Sequence, residues 1–454
     1  MPTVKQTKND FKSTGQGFTI VELLIVIVVI GILAAITIVA FNGVQQRARI
    51  AVLQSDMKNA ATQLEQDNQQ NGAYPSSTAT ANSGSGLKAS PGTAYQYTYT
   101  STGNSYCLTG TNSGASYYVS SANPGPRVGA CPGHTGVMVT TLAGSTAGYA
   151  DGTGANAQFD DPYGIAVDAS GTLFIADRDN HRIRKVTPTG TVTTLAGSTQ
   201  GLAEGIGASA KFDFPYRIAV DNAGNAYVAD YANNRVRKIT PTGTVSTLAG
   251  STPGYANGAG SAAQFYNPFG VAVDNSTGVV YVADYANYRI RKVTMAGVAT
   301  TFAGSTAGFA DGTGASALFD HPRDIAIGAD GTTYVADFDN CRIRKITTAA
   351  VVTTLAGSTC GYAEGTGTNA LFDHPQGLAV DSSGVVYVAD SYNNRIRKIT
   401  PAGVVTTFAG TGEAGYADGT PAAAKFDFPQ GVAVDGSGAV YVTDRSNHRI
   451  RKIQ

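Results

Sequence analysis

The longest apolar segment of this chain runs from residue 18 to residue 41, and Glu22 is its only charged residue. As a helix it would be about 36 Å long, enough to cross the hydrocarbon core of a bilayer. Lys5, Lys8 and Lys12 precede it, and positive charge favours the cytoplasmic side of a membrane. The pattern therefore predicts a membrane-spanning helix with the remainder of the chain outside.

An amphipathic pattern continues this helix, with Ala51, Val52, Ser55, Ala60 and Leu64 predicted on one face. The helix is expected to end near residue 70, where Asn-Gly turn chemistry begins. Residues 71–136 then predict a small region with strands near 95–100 and 117–120. Residues 121–136, rich in proline and glycine, read as a linker.

From residue 137 the pattern becomes short β-branched runs that repeat every 53 or 54 positions. The repeat is marked by six aspartates: Asp177, Asp230, Asp284, Asp337, Asp390 and Asp444. One copy contains four strand candidates, at 164–168, 173–177, 182–186 and 192–197, separated by Ser-Gly and Thr-Gly turns. Four strands per copy predict one propeller blade per copy.

The sixth copy stops after its third strand, whereas a fourth-strand pattern at 137–142 precedes the first copy. Pairing of these two segments would close the ring and leave no exposed sheet edge. The predicted fold is therefore multidomain: a long N-terminal α-helix with a small α+β region, then an all-β six-bladed propeller. We expect the 137–142 strand to complete the last blade.

Composition excludes one class of partner. The formal net charge is +0 and only 14% of residues are charged, so no nucleic-acid partner is expected. The recurring Arg-x-Arg-Lys, as at Arg182, Arg184 and Lys185, resembles a basic stripe but faces the aspartate of each copy. We interpret it as a set of ion pairs between neighbouring blades.

A processing signal lies ahead of the membrane helix. Gly15-Gln16-Gly17 comes before the apolar segment, and Phe18-Thr-Ile-Val-Glu22 follows it directly, which resembles the type IV prepilin signal. The resemblance implies that a prepilin peptidase cleaves after Gly17 and methylates Phe18. It further implies that Glu22 pairs with the N-terminal amine of a neighbouring pilin subunit. The precursor would lie in the inner or cytoplasmic membrane, and the mature protein at the cell surface or in a pilus.

These observations divide the chain into four parts. They are a prepilin leader at 1–17, the membrane-spanning and extended pilin helix at 18–70, a small pilin-like region and linker at 71–136, and the propeller at 137–454. The last part resembles NHL repeats, because Asn180-His181-Arg182-Ile183 and Asn447-His448-Arg449-Ile450 carry that motif.

Variation between copies concentrates at one rim, which predicts a ligand-binding surface for an extracellular protein or glycan. One set of variable residues follows the proline that ends each long loop: Tyr163, Tyr216, Phe269, Arg323, Gln376 and Gln430. A second set follows the Ala-Asp step and includes Tyr231, Tyr285 and Phe338. Aromatic residues lie in copies one to three and polar residues in copies four to six.

The four cysteines suit an exported chain with two disulfides. The two small strand candidates lie beside or between Cys107 and Cys131, and the resemblance to the pilin disulfide loop supports a bond between these cysteines. Cys341 begins a third strand and Cys360 follows its hairpin partner, which favours a second bond. The alternative is a pair of unrelated thiols.

No metal or cofactor is expected. His321 and His374 occupy equivalent places in adjacent copies, but Asn267 and Phe428 fill the neighbouring positions, so a third histidine is missing. The recurring loop acids lack the dense spacing of a calcium site and predict loop-capping hydrogen bonds instead; they are Asp151, Glu204, Asp311, Glu364 and Asp418.

The sequence shows no nucleophile motif or catalytic triad, so we expect a binding protein and no enzyme. The favoured function is a minor subunit of a type IV pilus or pseudopilus whose propeller serves adhesion or ligand binding. Two alternatives remain open at this point: a membrane-anchored surface enzyme, a lyase or hydrolase, and a pilus assembly or cap protein.

Overall fold

The computed structural model describes residues 48, 50–78, 81, 85–91, 93–100, 105–112, 115–121, 123–128 and 137–454. The chain forms two compact units, residues 1–135 and 136–454. Gly17, Phe18, Glu22 and the predicted membrane helix at 18–41 lie outside the described residues. Within the described ranges, no helix is both long and apolar enough to cross a membrane.

The N-terminal unit contains a helix over residues 50–71 and one antiparallel sheet. The sheet follows chain order and consists of Ala94–Thr100, Ser105–Asn112, Ala115–Ser120 and Asn123–Val128. The helix ends at Gly72, whose positive φ of 72° suits glycine. The predicted linker at 121–136 thus contains a strand. Its prolines Pro124 and Pro126 are tolerated because this is an edge strand.

The buried face of this helix is rotated from the predicted one. Leu53, Met57, Ala60 and Leu64 are buried against the sheet, whereas Val52 is 42% exposed. These four buried residues are spaced four, three and four positions apart, as one face of a helix requires. The large side chains of Leu53 and Met57 determine which face is buried.

The C-terminal unit contains six antiparallel sheets, numbered 1 to 6 along the chain. The inner strands are Pro162–Val167, Pro215–Val220, Pro268–Asp274, Pro322–Ile327, Pro375–Val380 and Pro429–Val434. The second strands are Leu173–Asp177, Ala226–Asp230, Val279–Asp284, Thr333–Asp337, Val386–Asp390 and Val440–Asp444. The third strands are Arg182–Val186, Arg235–Ile239, Arg289–Val293, Arg342–Ile346, Arg395–Ile399 and Arg449–Ile453.

Fourth strands complete the sheets. In sheets 1 to 5 they are Thr191–Gly197, Thr244–Gly250, Val298–Ala303, Val351–Gly357 and Val404–Ala409. Each of these pairs with a two-residue fifth strand from the preceding loop: Gly152–Thr153, Gly205–Ile206, Gly258–Ala259, Gly312–Thr313 and Gly365–Thr366. A 3-10 turn follows each fifth strand, beginning at a glycine, as in Gly154–Asn156.

The fourth strand of sheet 6 comes from the start of the unit, as predicted. Val139–Gly144 pairs with Arg449–Ile453, so that Ile453 lies opposite Val139 and Arg449 opposite Gly144. The predicted start at residue 137 is two residues early. The arrangement is propeller-like, with the inner strands adjacent to one another in chain order and Pro429–Val434 next to Pro162–Val167.

The core lies between neighbouring sheets. One fully buried phenylalanine per repeat precedes each inner strand: Phe159, Phe212, Phe265, Phe319, Phe372 and Phe426. The cluster around Phe159 also includes Tyr441 and Ile450, so sheets 6 and 1 share a core in the same way as the others. This packing fixes the inner strands, whose second residues form the candidate site.

Candidate functional site

Six residues meet where the inner strands begin, and we call them the axial ring: Tyr163, Tyr216, Phe269, Arg323, Gln376 and Gln430. Each is the second residue of its inner strand, directly after the proline. The aromatic half is in mutual contact: the Tyr216 ring centroid lies 4.6 Å from that of Tyr163 and 4.3 Å from that of Phe269. Such edge and tilted contacts stabilise aromatic clusters beyond simple burial.

Hydrogen bonds connect the polar half of the ring. Arg323 donates to Gln376 Oε1 at 2.7 Å, and the Tyr163 hydroxyl donates to the same oxygen at 3.2 Å. Gln430 is 0% exposed, and neither its amide nitrogen nor its amide oxygen has a hydrogen-bond partner in the described structure. A buried amide without partners is costly, so it marks a place where a polar ligand atom or water would be stabilised.

Three further predicted residues flank the ring. Tyr231 lies 4.5 Å from Tyr216 and Tyr285 lies 5.6 Å from Phe269, between ring centroids. The guanidinium of Arg323 lies 3.4 Å from the centroid of Phe338. The structure therefore brings all nine predicted ligand-binding residues together at one end of the axis.

Burial separates these nine residues into two groups. Tyr163, Phe269, Phe338, Gln376 and Gln430 are buried, whereas the rest of the nine are partly exposed. Any ligand would first meet the exposed group: Tyr216, Tyr231, Tyr285 and Arg323. Burial raises the pKa of Tyr216 to about 12, so its hydroxyl stays protonated and can donate a hydrogen bond at neutral pH.

A buried ion pair forms the floor beneath the axial ring, and the sequence analysis missed it. Arg217 Nε lies 3.4 Å from Asp324 Oδ2, and both residues are less than 10% exposed. Arg217 donates to the carbonyl oxygens of Tyr163 at 3.2 Å and Gln430 at 3.0 Å. The guanidinium thus links the floor to the backbone of the ring.

A sequence signal for this pair exists. Four inner strands begin Pro-x-Gly, whereas sheet 2 has Pro-Tyr-Arg and sheet 4 has Pro-Arg-Asp. Glycine is needed because a Cβ on Gly164 would lie 2.4 Å from the Tyr216 carbonyl oxygen. The two departures from Pro-x-Gly therefore identify the two residues of the buried pair.

The Arg-x-Arg-Lys motif forms its ion pair within one sheet. The interpretation of this motif as a set of ion pairs between neighbouring blades is therefore wrong. Arg184 and Asp177 belong to the paired third and second strands of sheet 1 and are 2.5 Å apart. Arg184 also donates to the carbonyls of Gln158 and Ala150 in the preceding loop. Burial raises the pKa of Asp177 to about 6, although Arg184 opposes this rise. The same pair recurs in all six sheets.

The loop acids serve the same network. Asp151 Oδ1 accepts from Arg184 at 2.6 Å, and its second oxygen accepts from the backbone nitrogen of Thr194 at 3.2 Å. Glu204 accepts from the backbone nitrogen of Thr247 at 2.7 Å. These contacts match the predicted loop-capping role.

One disulfide is present in the C-terminal unit. Cys341 and Cys360 are bonded, with 5.1 Å between their Cα atoms. The bond joins the turn residue just before the third strand of sheet 4 to the loop that leads into sheet 5. In the N-terminal unit Cys107 lies on the second strand. Its predicted partner Cys131 lies outside the described residues.

Two family models match this chain. Five segments match the NHL repeat, in sheets 1, 2, 3, 5 and 6: residues 159–186, 212–239, 265–293, 372–399 and 426–453. Residues 13–38 match the prokaryotic N-terminal methylation motif. The chain thus combines a pilin-type N-terminus with NHL repeats, as the sequence analysis predicted.

Curated relatives share the repeat region. The chain is 31% identical over 316 residues to the chloroplastic protein SUPPRESSOR OF QUENCHING 1 of Arabidopsis thaliana, covering 64% of this chain and 30% of that protein. It is 29% identical over 340 residues to NHL repeat-containing protein 2 of Gallus gallus, covering 64% and 46%. This chain therefore spans less than half the length of either relative.

Solved structures share the fold. A Bacteroides thetaiotaomicron protein of unknown function superposes with a TM-score of 0.56 at 22% identity, covering 77% of this chain and 84% of that chain. An auxiliary nutrient binding protein of the same organism gives 0.56 at 17% identity, covering 77% and 94%. At these identities the likeness concerns the fold alone.

Proposed function

We propose that this protein is a minor subunit of a type IV pilus or pseudopilus that displays a closed six-bladed propeller outside the cell. The observation that supports this is the presence of an N-terminal methylation motif and NHL repeats in one chain. Only a precursor headed for the membrane needs such a motif, and a domain as bulky as the propeller suits a low-copy position in a filament. Its partners would be pilin subunits and a prepilin peptidase.

Mass spectrometry of the native protein tests the processing step. Intact-mass and N-terminal analysis of sheared filaments should find a chain that begins at a methylated Phe18. Gly17→Ala should abolish cleavage and keep the protein out of the filament fraction, whereas Gly15→Ala, two residues earlier, should be processed normally. An uncut chain confined to membranes in the native host would contradict the pilus proposal and leave an anchored propeller.

We further propose that the axial ring binds an extracellular protein or glycan and catalyses no reaction. The unpartnered amide of Gln430 and the partly exposed aromatic residues of sheets 2 and 3 support binding. The ring itself contains no serine, cysteine or histidine that could act as a nucleophile or general base. A lyase or hydrolase at this site would need another source of those groups.

Substitution in the ring tests this surface. Tyr216→Leu and Tyr231→Leu should each weaken ligand binding about tenfold or more, because a buried aromatic contact at a binding site is worth ~1–2 kcal/mol or more. Tyr362→Leu is the matched control, since Tyr362 is exposed at the outer edge of sheet 5. Equal binding by all three variants would contradict the proposal. Capture of pilin subunits alone would favour an assembly or cap role, and turnover of a glycan or ester would favour an enzyme.

A further inference from the structure

Two histidines and three carboxylates converge on the same rim, between sheets 4 and 5, and we call them the rim cluster. His321 Nδ1 lies 2.9 Å from Asp320 Oδ1 and 2.6 Å from Asp339 Oδ2. His374 Nε2 lies 4.0 Å from Asp339 Oδ1, so both imidazoles approach one carboxylate. All five side chains are between 26% and 36% exposed, so solvent ions can reach them.

The carboxylates of the rim cluster lack a permanent cation. In residues 137–454 their ion pairs are all with His321 and His374. The position of His321 is occupied in sheet 1 by Asp161, which is paired with Arg178 at 2.7 Å and Arg445 at 2.6 Å. Arg178 of sheet 1 and Arg445 of sheet 6 thus neutralise Asp161, whereas three adjacent carboxylates in sheets 4 and 5 depend on two imidazoles.

The imidazoles are held in place by aromatic rings. His321 lies between Tyr285 and Tyr288, at centroid distances of 4.5 and 4.9 Å. His374 lies between Phe338 and Tyr392, both at 4.7 Å. Positions fixed in this way reduce the conformational cost of binding an ion.

The orientation of His374 is set by a further carboxylate. Its Nδ1 lies 2.6 Å from Asp373 Oδ1, which favours the proton on Nδ1 and leaves Nε2 as the free acceptor facing Asp339. A carboxylate behind an imidazole is the arrangement that orients histidine ligands in metalloproteins. This second contact distinguishes the rim cluster from a simple group of surface acids.

We propose that the rim cluster binds one divalent transition-metal ion of the zinc class. His321 Nδ1, Asp320 and Asp339 would be ligands, His374 Nε2 the fourth, and Asp373 the group that orients His374. Imidazole nitrogen with carboxylate oxygen suits zinc better than calcium or magnesium, which prefer oxygen alone. The ligand atoms of Asp320, His321 and Asp339 already lie within 4.8 Å of one another, so bonds of about 2.0–2.2 Å require only small movements of these three side chains. His374 Nε2, 4.0 Å from Asp339, would have to move closer to complete the set. The inference is independent of pilus assembly and of the ligand at the axial ring.

The neighbouring disulfide must stay intact during the metal-binding measurement. Cys341 and Cys360 lie beside Asp373 and His374, and reduced thiolates there could bind zinc themselves. The protein must therefore remain oxidised, with thiol titration showing no free cysteine. Under that condition the atoms bonded to the ion should be nitrogen and oxygen only.

The experiment measures Zn²⁺ binding to the full chain in detergent after chelator treatment, by competition with a chromophoric chelator. We expect one ion per chain. His321→Asn should weaken binding at least about tenfold, and Asp339→Asn likewise. Asparagine suits the positive φ at position 321, since Asn267 has it at the same register of sheet 3. The matched control is His181→Asn, since sheet 2 carries Asn234 at the register of His181.

Several results would overturn the proposal. They are unchanged Zn²⁺ affinity in both His321→Asn and Asp339→Asn, no saturable binding in the wild type, or a preference for Ca²⁺ over Zn²⁺. X-ray absorption of the zinc-loaded wild type is the measurement that needs no variant to fold. The spectrum should show scattering from imidazole ligands and none from sulfur. A spectrum without imidazole scattering would contradict the assignment.

Discussion

At the scale of single residues, Arg217 and Asp324 form a buried ion pair whose charges are compensated only in part. Asp324 accepts hydrogen bonds from the backbone nitrogens of Ile325 and Leu378, each at 2.9 Å. Burial raises the pKa of Asp324, and the guanidinium of Arg217 opposes that rise. The carboxylate is thus stabilised by two backbone N–H groups and one guanidinium. Removal of either charged side chain leaves the other charge buried without its partner.

Breaking this pair should destabilise the C-terminal unit strongly. Asp324→Ala should lower the free energy of unfolding by about 3–5 kcal/mol, because it leaves Arg217 buried without its partner. Glu413→Ala removes an exposed partner of Lys425 and should leave the free energy of unfolding almost unchanged. Urea unfolding measures both variants. A double Arg217→Met, Asp324→Leu variant should regain most of the loss, and a single-variant cost near that of Glu413→Ala would contradict the argument.

The candidate site could be predicted only in part at this scale. Tyr216 and Phe269 were identifiable because variation among repeats at one rim is visible in the sequence. The burial of Phe269 was not predictable, because it depends on how closely the six inner strands approach one another. The pairing of Arg217 with Asp324 was hidden for the same reason: sheets 2 and 4 are not adjacent, and only the geometry of the axis brings the two side chains together.

At the scale of elements, the inner strands depend on glycine where they approach one another. Gly164 faces the backbone of the next inner strand: a Cβ there would lie 2.4 Å from the carbonyl oxygen of Tyr216 and 2.8 Å from Cα of Arg217. Backbone cannot move aside as a flexible side chain can. At Gly164 the inner strands of sheets 1 and 2 are therefore held at a separation that permits no methyl group.

A methyl group at Gly164 should shift the inner strands apart. Gly164→Ala should lower the free energy of unfolding by about 1–3 kcal/mol or more, as overpacking does. Gly436→Ala is the control, since no atom lies within 4 Å of a Cβ built there. It should change stability by no more than about 0.5 kcal/mol. Thermal unfolding distinguishes the two, and equal midpoints would show that the inner strands have room to adjust.

Strands could be predicted from the sequence where apolar and polar residues alternate clearly. The predicted second and third strands of sheet 1, at 173–177 and 182–186, coincide with those observed. The short fifth strands were not predicted because two residues such as Gly152–Thr153 carry no periodic pattern. The strand Asn123–Val128 was missed because proline and glycine dominate its sequence, which is typical of loops.

At the scale of the whole molecule, sheet 6 is built from the two ends of one unit. A Cβ on Gly144 would lie 2.4 Å from the carbonyl oxygen of His448, and one on Gly197 would lie 2.4 Å from that of His181. The joint between the first and last strands thus repeats the contact found inside sheet 1, where both strands come from one repeat. Val139 lies in the hydrophobic cluster shared by sheets 5 and 6. The pairing of the first and last strands therefore rests on the same packing as in every other sheet, although the paired residues are over 300 positions apart.

This joint can be opened selectively. Val139 is 0% exposed whereas Thr140 points to solvent, so Val139→Asp places an unpaired charge in the core and Thr140→Asp does not. Val139→Asp should cost about 3–5 kcal/mol. Hydrogen exchange should then speed up in residues 139–144 and 449–453 while sheets 2 to 4 stay protected. If both variants exchanged alike, the first strand would be a dispensable addition to sheet 6. If Val139→Asp instead unfolded all six sheets together, folding of the whole unit would require the pairing of its first and last strands. The reason would be that opening this pairing exposes two sheet edges and removes the contact that holds the two ends of the ring together.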